Sequence, residues 1–218
     1  MGVLTDLTRI LRSSECAKIN FQIESIRVYG DGFKTIAKAI DGKHIQVVRS
    51  RLLPSNVATY NRRYNALFVG RAPKAGLLVH ECTHALNDWH KREILAIDDE
   101  ASAYIAQLMY AVLKDPSLNT VVSELHFGER AATLSKACGL NSRICSTATV
   151  AAAAAIAIGF LNKKSPSIDL LQQLRNSIQR DPVYRQSASN QTRVYNGIRR
   201  MVIPRTELRK IQGTVLTN

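Results

Sequence analysis

Apolar positions come in short runs through the first seventy residues of this chain, and beyond Gly70 they recur at helical spacing. The runs at 21–29, 44–48 and 65–69 are rich in β-branched and aromatic residues and are bounded by glycine or polar residues, which predicts strands. A short helix is expected over 32–40, between the first two. After Gly70 the pattern predicts helices over 74–90, 99–114, 118–126, 129–138, 146–162, 167–180 and 191–201. A small N-terminal β-sheet followed by helices is an α+β arrangement. We expect one domain over residues 1–218, with a β-containing part at about 19–70 and a helical part at about 74–218.

Three helical stretches carry more detail. In KAGLLVHECTHALNDW (74–89), Leu78, Cys82, Ala85 and Trp89 form an apolar stripe, and His80 and His84 lie off it on another face. Pro73 stands just upstream, where a helix can begin. In DDEASAYIAQLMYAVLKD, Ala101, Tyr104, Ile105, Leu108 and Val112 keep the same spacing, and Asp98 or Asp99 can cap the helix start. The alanine-rich stretch TATVAAAAAIAIGFL (147–161) is shorter than the roughly 20 residues a spanning helix needs, so a buried helix with close neighbours is expected and no transmembrane span.

Candidate chemistry is concentrated at His80-Glu81-Cys82-Thr83-His84. Positions i and i+4 of a helix share a face, so both imidazoles can reach one metal ion, and Glu81 beside them can take a proton from metal-bound water. A catalytic zinc takes a third protein ligand and keeps one open position. Two residues compete for that place. Glu100 opens the next helical pattern, and His90 lies six residues past His84. Asp88 and Asp99 are candidates to orient a histidine from behind.

This stretch resembles the HExxH zinc metallopeptidases, or zincins. HExxH followed by a helix that begins Glu100-Ala101 looks like the thermolysin-like, or gluzincin, type. That resemblance implies zinc held by His80, His84 and Glu100, with Glu81 as general base in peptide-bond hydrolysis. In the gluzincin pattern an aspartate often stands four residues after the ligand glutamate; here Tyr104 stands there. The rival resemblance is to metzincins, HExxHxxGxxH, which implies His90 as third ligand and has Asn87 where the glycine belongs. A softer resemblance, carried by HECTHA and EASAYIAQ, is to small metallopeptidase domains of bacterial effectors and toxins. The likeness covers about fifty residues, Ala66 to Asp115. It also implies an edge strand above the active helix, where an extended substrate pairs; residues 65–70 are the local strand signal, with an ordinary core strand the favoured reading for Leu67 and Val69. Peptide or protein substrates are implied, cell-wall peptides among them. A donor to the developing oxyanion is expected as well. Tyr104, Tyr110, His126, Tyr184 and Tyr195 are the choices, and His126 is favoured as a downstream histidine in a loop.

Charge opens an alternative. The chain carries a net charge of +13. From residue 101 onward, 15 Lys and Arg face 6 Asp and Glu, which suits an acidic partner or a nucleic-acid-binding module in which HExxH is incidental. Yet residues 81–100 hold six acids against two bases, an acidic island of the kind a cation site attracts. The first sixteen residues have charges throughout and no continuous apolar core, so no Sec-type signal peptide is expected; a cytoplasmic place or export by another route stays open. The four cysteines show no metal-binding spacing, Cys82 reads as a core residue, and Cys138 and Cys145 are near enough in sequence to bridge.

Overall fold

The computed structural model describes residues 3–119, 134, 136, 145–181, 184 and 191–216. It is an α+β structure, as the pattern predicts, with three small sheets against a helical body. Two helices precede the first strand: α1 (Val3–Leu11) and α2 (Ser14–Lys18), the latter capped by Ser13, whose hydroxyl accepts from the Cys16 N–H. The expected strand at 21–29 is a hairpin, β1 (Asn20–Ile23) and β2 (Ile26–Tyr29), because Glu24 adopts a left-handed φ of 47° and reverses the chain. Helix α3 (Gly30–Asp41) follows at once.

The main sheet has four strands in the order β4-β5-β3-β8. They are β3 (Gln46–Ser50), β4 (Ala58–Asn61), β5 (Ala66–Val69) and β8 (Gly213–Val215). Strand β5 lies between β4 and β3, antiparallel to the first and parallel to the second. Residues 65–70 therefore do not supply the edge strand. All four side chains of β5 are buried, as a continuous apolar run predicts, and the outer strand is β4. Its sequence, ATYN, gives too short an alternation to read in advance.

Helix α4 (Ala75–Trp89) carries the histidines and α5 (Ala96–Lys114) carries Glu100; these two helices pack against each other through the middle of the molecule. Leu78, Cys82 and Ala85 enter the core, but Trp89 at the helix end remains 41% exposed. The other face of α4 is buried too, under α5 and the cleft, so the helix is enclosed from Leu78 to Asp88. Helix α5 starts earlier than expected. Asp98 and Asp99 do lie in its first turn, but neither caps it; Leu95 is the N-cap and both carboxylates reach outward to other elements.

The alanine-rich segment forms α6 (Thr147–Leu161), packed between α5 and α7 (Ile168–Arg180). Its buried alanines allow that close approach. Buried Asp181 closes the junction by accepting from the Ser146 N–H and the Thr149 hydroxyl at 2.9 Å each. Among the described residues no helix is long and apolar enough to cross a membrane. The expected helices over 118–126 and 129–138 lie largely outside the described residues.

The expectation that the chain is helical after Gly70 needs correction. Residues 191–201 are not a helix. Thr192–Val194 forms β7, paired antiparallel with β6 (Glu93–Leu95), and the chain then runs irregularly to the short α8 (Arg205–Lys210) and β8. Ladder pairing with a strand a hundred residues away overrides local helix propensity there. One contiguous core links α1 to Tyr195, and a smaller cluster of Val48, Ala66, Phe68 and Ile203 lies across the main sheet.

The α2–α3 crossing is tight. A Cβ on Gly30 would stand 2.4 Å from the carbonyl oxygen of Ala17, with that residue's backbone behind it. Gly30→Ala should destabilise the protein by about 3 kcal/mol, since backbone must shift to admit the methyl group. At roughly 2–4 °C per kcal/mol for a chain this long, calorimetry should show a fall in Tm near 10 °C; an unchanged Tm would mean the crossing is looser than drawn.

Candidate metal centre

Helix geometry sets the site. His80 and His84 are one turn apart on the buried face of α4, and Glu100 projects from the second turn of α5 opposite them. His80 Nε2 is 3.5 Å and His84 Nε2 is 3.6 Å from Glu100 Oε2, and the three donor atoms all lie within 4.8 Å of one another. Donors held tetrahedrally at about 2.0–2.1 Å from a zinc ion stand about 3.4 Å apart, so this set fits one with little movement. Among the described residues it is the one His/Cys/Asp/Glu cluster with that geometry.

The atoms behind the cluster fix its orientation. The amide oxygen of Gln107 is 3.0 Å from His80 Nδ1, which leaves Nε2 facing the centre when Nδ1 carries the proton. His84 Nδ1 is 3.0 Å from Asp99 Oδ2, within ion-pair reach though poorly aligned for a hydrogen bond. Asp99 is fully buried and also accepts from Tyr195 Oη at 2.6 Å, from Asn87 Nδ2 at 2.7 Å and from Arg193. Arg193 reaches Glu100 Oε1 at 2.9 Å as well. Of the two proposed orienting carboxylates, Asp99 therefore takes the role. Asp88 instead accepts from Tyr60 Oη at 2.7 Å and the Gly197 N–H at 2.9 Å. Tyr104, in the position of the gluzincin aspartate, stacks edge-on against the His80 ring at 4.7 Å.

His90 stands apart from the cluster. Helix α4 continues through Asn87 to Trp89, His90 caps its C-terminus, and the left-handed turn comes at Lys91. The exposed His90 ring meets the Tyr29 hydroxyl at 3.1 Å. Asn87 does not break the helix, because its side chain is fixed between Asp99 and Arg92.

Glu81 faces the same cleft. Its Oε2 accepts from the Tyr60 N–H of β4 at 2.7 Å, and its Oε1 has no hydrogen-bond partner among the described residues. The cleft, about 530 Å³, is lined by Ala58, Thr59 and Tyr60 of the outer strand, by the three donors and Glu81, and by Tyr184, Arg193 and Tyr195. Of the proposed oxyanion donors, Tyr184 and Tyr195 lie here. The Tyr184 hydroxyl donates to Glu100 Oε2 at 2.7 Å, whereas that of Tyr195 is committed to Asp99. Tyr104 lies beneath His80, Tyr110 lies on the side of Glu15 and Cys16, and His126 falls outside the described residues.

Burial and charge drive the two glutamates apart. Burial raises the Glu81 pKa above the usual glutamate value, and the neighbouring histidines only partly oppose it. For Glu100 burial works in the same direction but is outweighed by His84, His80 and Arg193, which hold it well below. Burial likewise pulls His84 towards neutrality, yet the facing Asp99 and Glu100 carboxylates keep its pKa well above the usual histidine value. Two neighbouring carboxylates are thus pushed in opposite directions by their surroundings.

Sequence reasoning missed Gln107, the outer strand β4 and Arg193. Gln107 was legible, seven residues and so two turns past Glu100. For Arg193 and β4 no local signal existed. The cysteines add nothing to the site: Cys16, Cys82 and Cys145 are buried and free, and Cys138 lies outside the described residues. No known protein family, curated protein or solved structure matches the chain.

Asp99 offers a test of these electrostatics. Burial alone would raise its pKa, but His84 and Arg193 bring it down to about 2. A depressed carboxylate pKa stabilises the fold above the unfolded value near 3.8, and the contribution disappears as pH falls through the folded value. In metal-free protein, Asp99→Asn should therefore cost about 2 kcal/mol at neutral pH, and the gap from wild type should close between about pH 4 and pH 2 in denaturant titrations. A gap independent of pH would show that the carboxylate charge is not what matters.

Proposed function

We propose that this protein is a zinc-dependent metallopeptidase of gluzincin-like construction. The observation that carries the reading is the convergence of His80 Nε2, His84 Nε2 and Glu100 Oε2 on one point, with the unengaged Glu81 Oε1 beside it. A zinc ion bound there supplies an activated water and polarises the carbonyl under attack. The residues of the chain do the rest. Glu81 Oε1 takes the proton from the attacking water and returns it to the leaving amine nitrogen. Its second oxygen is tethered to the Tyr60 N–H, so the base enters the reaction already oriented. The Tyr184 hydroxyl, beside Glu100, donates to the carbonyl oxygen as charge builds on it, in the role first sought for His126.

Substrate alignment follows from the sheet. Among the described residues no strand pairs with the outer side of β4, where Glu81 already takes the Tyr60 N–H, and residues 58–60 form a wall of the cleft. An extended peptide or protein segment laid along it gains main-chain hydrogen bonds next to the cluster. Polypeptides, cell-wall peptides included, are the substrate class this arrangement suits. Use as an effector or toxin is consistent with the softer sequence resemblance.

The deciding experiment is metal content by mass spectrometry together with hydrolysis of an unfolded protein and of cell-wall peptides. Wild type should take up one zinc ion per chain; His80→Ala and His84→Ala should lose it, Glu100→Gln should bind more weakly, and His90→Ala should be unaffected. Glu81→Gln should keep its zinc and lose about 10²–10⁴-fold in rate. Failure to take up zinc from excess would overturn the proposal, and zinc uptake without hydrolysis would reduce it to a metal-binding protein. Tyr184→Phe separates a role in the transition state from one in binding. It should lower kcat about 10²-fold with KM nearly unchanged, and an effect on KM alone would remove Tyr184 from the chemistry.

A further inference from the structure

A second concavity lies away from the metal cluster, where the C-terminal segment meets the main sheet. It measures about 520 Å³ and is lined by Arg51, Arg205, Arg209, Gln212 and Thr214, with no acidic side chain among the described residues of its wall. Its arginines come from distant parts of the sequence. Arg51 follows β3, and its N–H meets the Gln212 carbonyl at 3.4 Å where β8 pairs with β3. Arg205 and Arg209 are one turn apart on α8, so they share a face.

The scaffold beneath is fixed. Leu53, Leu208 and Ile211 pack on the small cluster around Val48 and Ile203, and the Ser50 hydroxyl donates to the Ile211 carbonyl at 2.7 Å. All three arginines are exposed and none has an ion-pair partner among the described residues, while the nearby Glu207 is paired with Lys210. Next to the concavity, Arg49 stands opposite Thr214 across the strand pair, and its buried Nε also lacks a hydrogen-bond partner among the described residues. Three like charges gathered on a rigid frame repel one another, and among the described residues no carboxylate is paired with them. Guanidinium forks match phosphate oxygens two at a time, and the hydroxyl and amide of Thr214 and Gln212 add neutral donors. The space is that of a small-molecule pocket and not of a long polymer track.

We propose that this concavity is a binding site for a compact ligand bearing several phosphate groups, either free in solution or as the headgroup of a membrane lipid. It is separate from the metal cluster, so it stands whether or not the protein is a peptidase.

The test uses the full chain and two probes, inorganic tripolyphosphate by calorimetry and phosphatidylcholine vesicles containing phosphatidylinositol bisphosphate by co-sedimentation. Arg51→Gln/Arg205→Gln/Arg209→Gln removes the site. Lys18→Gln/Arg71→Gln/Lys164→Gln removes the same charge from exposed positions elsewhere and reports non-specific attraction. Circular dichroism confirms that each variant is folded. Wild type should bind at least one probe, and the first variant should bind it at least about ten-fold more weakly, while the second variant stays near wild type. Binding of tripolyphosphate assigns a soluble ligand; binding of vesicles alone assigns a lipid headgroup. Equal losses in the two triple variants would overturn the proposal, because net charge alone would then account for the binding. It would equally be overturned if neither probe binds, or if a single-stranded RNA binds more tightly than both and the first variant retains that binding.

Discussion

The contacts around the Asp99 carboxylate hold this structure together at its centre. A buried negative charge is costly unless it is met on every side, and four elements meet it: His84 and Asn87 from α4, Arg193 from β7, Tyr195 just beyond it, and the start of α5 itself. Those requirements set the rotation of α4 relative to α5 and bring the β6–β7 ribbon onto both. Once that junction is fixed, Glu100, the next residue, can point only into the space between the two imidazoles. Taking away one partner would weaken the others, because His84, Asn87 and Tyr195 are buried beside the carboxylate and Arg193 is largely covered.

The parts of the site legible in the sequence are those encoded by local periodicity. His80, Glu81 and His84 lie within a helix whose spacing alone places both imidazoles on one side, and Glu100 opens a second helix with an equally plain pattern. Asp88 and Asp99 are both candidates there to orient a histidine, and the sequence does not choose between them. Pairing across long separations left no such trace. Strand β7 carries the β-branched Thr192 and Val194, but three residues are too short a run to read as a strand, and its ladder comes from residues 93–95, far away in the sequence. β4 is four residues of unremarkable composition, identified by its ladder with β5 and placed at the site by the hydrogen bond its backbone makes to Glu81. Trp89 completes an apolar stripe in the sequence but sits where the helix leaves the core, so periodicity overstates its burial.

Charge is arranged in two different ways along the same chain. Near the cluster, acids and bases are interleaved and mutually satisfied, to the point that Arg193 serves two carboxylates at once. At the end of the main sheet, by contrast, arginines are collected and left unmet. A single net charge conceals that difference. The acidic stretch 81–100 is met in part by Arg175 and Arg193 from the basic C-terminal half, whereas Arg51, Arg205 and Arg209 gather elsewhere.

The order in which the chain leaves the ribosome gives the late position of Tyr184, Arg193 and Tyr195 a further meaning. Both imidazoles and all of α5 have been synthesised by residue 114, yet the side chains that cover the cluster and neutralise its carboxylates arrive some seventy or more residues later. Until they do, Asp99 and Glu100 lack their guanidinium partner and the cleft lacks the wall that Tyr184, Arg193 and Tyr195 supply. Contacts of such long sequence separation form late, after loop closure across most of the polypeptide. A growing chain therefore carries His80, His84 and Glu100 long before the groups that hold them in place, so the cluster is assembled only near the end of folding.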